Sequence, residues 1–304
     1  DYQNDKVDIQ KLYDGFEDIY LSQLQIEKIY HGGLSVSEIP EDTYRYQNHF
    51  LHIRDFENQN HQILAKIKGD KVLPLENAKS IAYGLRPLNR EQKYAFDMLL
   101  DPAVELVTIA GGAGSGKTIM ATATALEQYF SGKYSKIIFV RPIVPAGEDI
   151  GYLPGTEEEK LKPWMGPFYD SIESLLYLKG KYAKGMEQTA DNFIEQLRLT
   201  GALEIKTFNY MRGRTLDRAI VVIDEAQQIT PHLAKLMLTR AGKDSKFIFL
   251  GDPTDNQIDS VLVDSKSKGL VYVIDNMKNQ EITGHVTLQN VERSELAMLA
   301  ESTL

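Results

Sequence analysis

Apolar residues between positions 104 and 288 fall into short runs separated by turns and by segments with helical spacing. The runs are rich in Val, Ile, Leu and Phe, which is typical of strands buried on both faces. We predict strands at residues 104–110, 136–140, 203–208, 219–224, 246–250 and 285–288. We predict helices at residues 89–100, 118–130, 157–178, 191–199, 231–240 and 294–301, and a short helix or strand at 269–276. This alternation predicts an α/β fold with a mainly parallel sheet between helices.

Residues 1–82 have a different pattern. Apolar spacing predicts a helix over residues 7–30, which the His-Gly-Gly sequence at 31–33 ends. Strands are predicted at 44–54, 61–68 and 71–75, with a tight hairpin turn between the last two. We therefore expect two domains, a small β-rich accessory module (1–82) and a main domain (83–304). The module either only packs on the main domain or also binds a partner. The apolar pattern of residues 1–82 does not distinguish these two roles.

Glycines and a lysine separate the first strand of the main domain from its following helix. The sequence GGAGSGKT there fits the phosphate-binding loop pattern G-x-x-x-x-G-K-[ST]. Glycine lets such a backbone turn tightly and direct several N–H groups at one phosphate, and the positive end of the helix adds to the field. A plain glycine-rich turn is the alternative. The predicted nucleotide contacts are Gly111, Gly112, Ala113, Gly114, Ser115, Gly116, Lys117, Thr118 and Ile119.

Two acids follow a fully apolar strand about a hundred residues later. Asp224 is expected to hold Mg²⁺ together with the Thr118 hydroxyl, partly through water. Glu225 is in position to orient and deprotonate an attacking water. Two acids at a helix start are common, but a phosphate loop upstream makes the pair indicative of nucleotide hydrolysis. The expected cofactors are ATP and Mg²⁺.

Charge and composition narrow the classes of function. The 304 residues carry a net charge of −9, which argues against nucleic-acid binding through overall charge but leaves room for a local basic groove. The sequence has no cysteine, which excludes disulfides and thiolate metal sites and fits a reducing compartment, so we expect a cytoplasmic protein. No apolar run approaches the roughly 18 residues of a membrane span.

The motifs taken together resemble the PhoH family of ATPases. The matching segments are residues 89–92, 95–101, 111–118, 139–155, 210–215, 222–227, 251–253 and 292–297. They occur in the family's order across residues 84–304. The sequence is most similar to the longer branch, in which a PIN ribonuclease domain precedes the ATPase and residues 1–80 would be its β-rich connector. The acidic metal cluster of a PIN domain is not recognisable, so we expect no nuclease activity from this chain.

The resemblance implies a RecA-like core, ATP hydrolysis, RNA or another nucleic acid as partner, and a homo-oligomeric, hexameric ring. Helicase activity is proposed for the family. Gln92 resembles the adenine-reading glutamine of helicases, although it also stands in capping-box spacing from Asn89. Arg293 resembles the family's late arginine, a candidate finger toward a neighbouring subunit's γ-phosphate, or a surface ion pair.

Four further residues carry weaker expectations. Gln257 corresponds to the γ-phosphate sensor that follows Gly-Asp-Pro in superfamily 1 helicases, displaced here by two positions. Arg141, at a strand end, lies where RecA-like motors line a nucleic-acid channel. Arg212 and Arg214 flank a glycine and either contact phosphate or RNA or pair with surface acids.

Two other functions compete with an RNA-dependent ATPase. A small-molecule P-loop kinase needs no water-activating glutamate, so the Asp224–Glu225 pair argues against it. An ATP-gated oligomeric scaffold that regulates an attached ribonuclease would bind ATP with little turnover. Dependence of the ATPase rate on nucleic acid, and on Glu225, separates the three.

Overall fold

A computed structural model describes residues 12–142, 162–180, 189–207, 215–254 and 268–290. The predicted helix at 294–301 lies outside these ranges, as does the start of the one predicted at 157–178. Where the structure describes them, helices and strands of the main domain occur as predicted, and residues 269–277 form a helix. The domain boundary near residue 82 stays a prediction.

The main domain is built on a six-stranded sheet. Its strands are β6 (Leu106–Gly111), β7 (Lys136–Val140), β8 (Leu203–Lys206), β9 (Ala219–Ile223), β10 (Lys246–Gly251) and β11 (Thr283–Leu288). They lie in the order β11-β6-β10-β9-β7-β8, and every neighbouring pair is parallel. The carboxyl ends of β6 and β9 therefore face the same edge of the sheet, with β10 between them.

Helices cover both faces of this sheet. They are α2 (Arg90–Leu100), α3 (Lys117–Phe130), α4 (Gly166–Leu178), α5 (Ala190–Leu199), α6 (Pro231–Leu238) and α7 (Gly269–Met277). Alternate strand residues point to opposite faces: Ile220 and Val222 of β9 pack with α2–α5, whereas Val221 and Ile223 pack with α6 and α7. The fold is the α/β, RecA-like P-loop NTPase architecture that the sequence predicted.

The N-terminal module is a second sheet with one helix. Its elements are β1 (Phe16–Leu21), α1 (Gln23–Tyr30), β2 (Leu34–Ser35), β3 (Phe50–Asp55), β4 (Gln62–Lys68) and β5 (Lys71–Pro74). The strand order is β1-β3-β4-β5-β2, with β1 parallel to β3 and the other pairs antiparallel. The module is therefore β-rich, as predicted, with two more strands than the pattern indicated.

The prediction of one helix over residues 7–30 is wrong where the structure describes it. The chain turns at Gly15, directly before β1, with φ +87°. Glycine is needed there because an added Cβ would overlap the His285 carbonyl. Strand β1 then alternates, burying Ile19 and Leu21 while Tyr20 is exposed. The helix begins only after Ser22, which forms a capping box with Gln25. Pairing with β3 overrides the helical spacing.

The module packs against α2 and β11 of the main domain. The ring of Phe50 stacks on Tyr94 at a centroid distance of 4.7 Å. The buried Lys66 ammonium lies 2.7 Å from Asp97 Oδ2 and 3.0 Å from Asp101 Oδ2. Asn48 Nδ2 donates to carbonyls at the start of β11, including that of Thr283. The module thus braces the sheet edge and helix beside the phosphate loop.

Candidate active site

The phosphate loop joins the end of β6 to the start of α3. Gly111, Gly114 and Gly116 have φ of +154°, +78° and +89°, a range that favours glycine. Gly116 caps α3 in the left-handed conformation, and the Ser115 hydroxyl closes the loop by donating to Gly112 O at 2.8 Å. The loop therefore ends at a helix N-terminus, where N–H groups and the positive end of the helix dipole favour an anion.

Lys117 points into the concave side of this loop. Its Nζ donates to the carbonyl oxygens of Gly111 and Gly112, at 2.5 and 2.8 Å. The Thr118 hydroxyl, one residue on, lies 3.5 Å from Asp224 Oδ1. Residues 106 positions apart in the sequence thus meet because β6 and β9 end at the same edge of the sheet.

Asp224 sits directly beyond β9 and is almost fully buried. Burial and the neighbouring Glu225 charge raise the pKa of Asp224 from 3.8 to about 6, while Arg141 and Lys117 act in the opposite direction. Its backbone N–H donates to Val140 O at 2.9 Å, which fixes the residue to the adjacent strand. The carboxylate therefore occupies a rigid, weakly hydrated position.

Glu225 is held by neighbours on both carboxylate oxygens. Its backbone is left-handed, with φ +53°, and its side chain is 36% exposed. Gln227 Nε2 donates to Oε2 at 2.6 Å, and Arg141 Nη2 lies 3.4 Å from Oε1. The Asp252 N–H donates to Gln227 Oε1 at 3.2 Å. Gln227 thus ties Glu225 to the loop after β10, a role that its place in the Asp-Glu-Ala-Gln sequence did not predict.

Gln92 lies on the first turn of α2 beside the loop. Its N–H donates to the N-cap side chain of Asn89 at 3.0 Å, so the capping interaction is present. The reciprocal arm goes elsewhere, because the Leu88 N–H donates to Gln92 Oε1 at 2.8 Å. Gln92 Nε2 lies 3.5 Å from Ser115 O. The capping contact and a position next to the phosphate loop therefore coexist.

The donor set at Thr118 and Asp224 fits Mg²⁺. This ion is usually held by one or two carboxylates and substrate phosphates and keeps several waters, so a closed protein cage is not required. Among the described residues, no group of three or more His, Cys, Asp or Glu side chains forms such a cage. One hydroxyl and one buried carboxylate facing a phosphate loop match the way the ion binds in P-loop proteins.

Other predicted residues are placed differently or not described. Arg141 contacts the carboxylates of Asp224 and Glu225. Gln257, Arg293, Arg212 and Arg214 lie outside the described residues. No helix within the described ranges is both long and apolar enough to cross a membrane.

Comparisons with known proteins give several relatives. "Protein PhoH2" of Bacillus subtilis is 39% identical over 309 residues, which cover 100% of this chain and 67% of that protein. "Protein PhoH2" of Mycolicibacterium smegmatis is 31% identical over 243 residues, covering 79% of this chain and 52% of the relative. The chain thus spans only part of these relatives, about half in the second case.

Similar solved structures are more distant. A DUF1998 helicase, MrfA, bound to DNA and AMPPNP aligns with 71% of this chain and 29% of its own, at 15% identity and a TM-score of 0.39. Pif1 helicase from Candida albicans aligns with 71% of this chain and 44% of its own, at 16% identity and a TM-score of 0.35.

The family assignment rests on the main domain. A family model described as "PhoH-like protein" matches residues 84–303, which include the phosphate loop, the Asp224–Glu225 pair and the strands that carry them. The chain therefore belongs to the PhoH family.

Proposed function

We propose that this chain is a Mg²⁺-dependent ATPase whose turnover is coupled to binding or remodelling of RNA. The observation that carries the hydrolysis proposal is Glu225. It follows the buried Asp224, faces the same sheet edge as the phosphate loop, and is held by Arg141 and Gln227 on separate oxygens. A carboxylate held this way can accept a proton from an attacking water, which a kinase site does not need.

The other residues bind and orient the nucleotide. The loop N–H groups and Lys117 would contact the β- and γ-phosphates, and Thr118 with Asp224 would hold Mg²⁺. When bound, Mg²⁺ would neutralise charge on the phosphate oxygens. The Gln92 carboxamide, next to the loop, can pair with adenine through one donor and one acceptor. These residues together support ATP as the nucleotide, and Glu225 supports water as the attacking group.

Coupling to nucleic acid and ring assembly form the second part of the proposal. They rest on the PhoH resemblance, which implies RNA as partner and a hexameric ring completed by Arg293 from a neighbour. Gln227 offers a path for such coupling, because it joins Glu225 to the Asp252 backbone in the loop after β10. A movement of that loop would shift the hydrolytic carboxylate.

Steady-state ATPase assays test the proposal. We expect Glu225→Gln to retain ATP binding but to lower kcat on the order of 10²- to 10⁴-fold, since it removes the base. Lys117→Ala should lose nucleotide affinity. Glu195→Gln removes a carboxylate from the exposed part of α5 and should hydrolyse ATP like the unaltered protein. Wild-type turnover in Glu225→Gln would contradict the base assignment.

RNA coupling and assembly need separate measurements. We expect single-stranded RNA to raise kcat more than DNA of the same length does, and ATP to increase the mass in solution. Turnover that requires a phosphate acceptor would instead indicate a kinase. Tight ATP binding with slow turnover, unaffected by RNA and by Glu225→Gln, would indicate a nucleotide-gated scaffold.

A further inference from the structure

Arg141 lies between the two carboxylates of the proposed hydrolytic site. Its Nη1 is 3.3 Å from Asp224 Oδ2, and its Nη2 is 3.4 Å from Glu225 Oε1. The Arg141 side chain is 18% exposed and that of Asp224 only 4%. One guanidinium thus spans both acids from a partly buried position.

Sheet register, and not a loop contact, sets this position. Strand β7 pairs in parallel with β9, and Val140 is the register partner of Ile223. The next residue on each strand is therefore Arg141 and Asp224, side by side at the carboxyl edge. The backbone of Arg141 is also held from the other side, because its N–H donates to Lys206 O at 3.4 Å. The arginine is anchored by the strands on both sides of β7.

Charge at the site explains why a cation is needed there. Asp224 is buried and the adjacent Glu225 is 36% exposed, and the two carboxylates would repel each other and an incoming triphosphate. Lys117 offsets one negative charge from the loop side. Arg141 offsets the second from the β7 side, which leaves these four side chains close to neutral overall.

Arg141 also orients the Glu225 carboxylate, which is a second role beside balancing charge. Its left-handed backbone does not by itself determine the direction of the carboxylate. Arg141 fixes one oxygen and Gln227 the other, while each oxygen keeps a lone pair for a water. The planar guanidinium is suited to this because separate nitrogens reach separate carboxylates in a fixed geometry.

We infer that Arg141 is a positioning residue for ATP hydrolysis, which holds the Glu225 carboxylate and balances the charge of the Asp224–Glu225 pair, and that it is not a nucleic-acid contact. The inference rests on the proposed ATPase function. Loss of a charged hydrogen bond of this kind corresponds to a factor of about 10 to 100 in rate. Lysine at this position would supply the positive charge but not the forked guanidinium, whose separate nitrogens reach both carboxylates.

The test compares three variants of the full chain in ATPase and RNA-binding assays. We expect Arg141→Gln to lower kcat about 10- to 100-fold and raise KM for ATP, with single-stranded RNA affinity within twofold of the unaltered protein. Arg141→Lys should restore KM but leave kcat at least about tenfold low, because the charge returns without the fork. Arg198→Gln, which removes a similarly half-buried arginine from α5, is the matched control and should change neither constant.

The outcomes separate this inference from the proposed function. If Glu225→Gln loses hydrolysis while Arg141→Gln keeps wild-type kcat and loses RNA affinity, Arg141 contacts nucleic acid and only the inference fails. If the unaltered chain hydrolyses no ATP, the proposed function fails first. Should thermal melting show that Arg141→Gln does not fold, Arg141→Lys decides alone, and wild-type kcat in that variant overturns the inference.

Discussion

Asp224→Asn should make the protein more stable at neutral pH while removing a ligand of the proposed Mg²⁺ site. The pKa of Asp224 rises from 3.8 to about 6 in the fold because burial and Glu225 disfavour its charge. At about 1.4 kcal/mol per pKa unit, this upward shift corresponds to about 3 kcal/mol. Asparagine keeps the shape and removes the ionisation, so most of that free energy should be recovered.

The sign follows from proton binding. A carboxyl whose folded pKa exceeds its unfolded value binds its proton more tightly in the fold, so ionisation weakens the fold. The loss of stability is absent well below the unfolded pKa of 3.8, grows as the pH rises from 3.8 to about 6, and is complete about one pH unit above the folded pKa. The variant should therefore gain about 2 to 3 kcal/mol over the unaltered protein at pH 8, but only about 1 kcal/mol at pH 4.5.

Urea denaturation at several pH values between 4.5 and 8, with chelator and without nucleotide, measures this difference. In thermal melts the gain at pH 8 corresponds to about 4 °C for a chain of this size. Asp170→Asn, on the exposed side of α4, is the control and should change stability little. A gain that is absent at pH 8, or that has the same size at every pH, would refute the electrostatic reasoning.

Two further predictions concern α2. Lys66→Met should lower the free energy of unfolding by about 3 to 5 kcal/mol, because Asp97 and Asp101 lose a buried cation. Urea denaturation measures this loss. Lys28→Met, at an exposed position, is the control and should show no measurable loss. Gln92→Ala should raise KM for ATP about tenfold and reduce discrimination against GTP, since a hydrogen-bonding partner of the base is lost. Steady-state ATPase and GTPase assays measure both constants. Equal KM values for ATP and GTP before and after the change would contradict the assignment of Gln92 to adenine.

The main domain could be read from the sequence because its signals are local. Buried strands such as β9 and the glycines that take positive φ in the phosphate loop are visible within a few residues. Strand β1 was missed because Phe16, Ile19 and Tyr20 stand at helical spacing, whereas the strand depends on pairing with β3, far along the chain. The Gly15 turn is equally non-local, since it depends on the backbone of His285.

The candidate site likewise has features with local sequence signals and features that depend on distant parts of the chain. Its candidate ligands were recognisable because each stands in a short pattern, whereas the contacts that orient them depend on neighbouring strands. Arg141 was predicted to line a nucleic-acid channel, and its position beside Asp224, which depends on the register of β7 with β9, could not be predicted from the sequence. The link from Gln227 to Asp252 likewise requires knowing that β10 lies next to β9.

Helix α2 connects the N-terminal module to the candidate site, which bears on why a β-rich module accompanies this domain. At its first turn, Gln92 lies against the loop carbonyl of Ser115. Along its length, the module's Lys66 and Phe50 hold it through a buried ion pair and a stacked ring. At its end, Lys246 at the start of β10 donates to three carbonyls, those of residues 98, 99 and 101, and so satisfies groups that a helix C-terminus leaves open.

A helix fixed at its middle and end can hold its first turn in place beside the phosphate loop. The module's contacts with α2 and β11 should therefore act on the proposed nucleotide site without touching it. Strand β11 lies directly against the loop, since an added Cβ at Gly111 would be 2.9 Å from Leu288 O. This arrangement gives the packing interpretation of the module a mechanical role, and a weakened module should change nucleotide affinity before it changes the chemistry at Glu225.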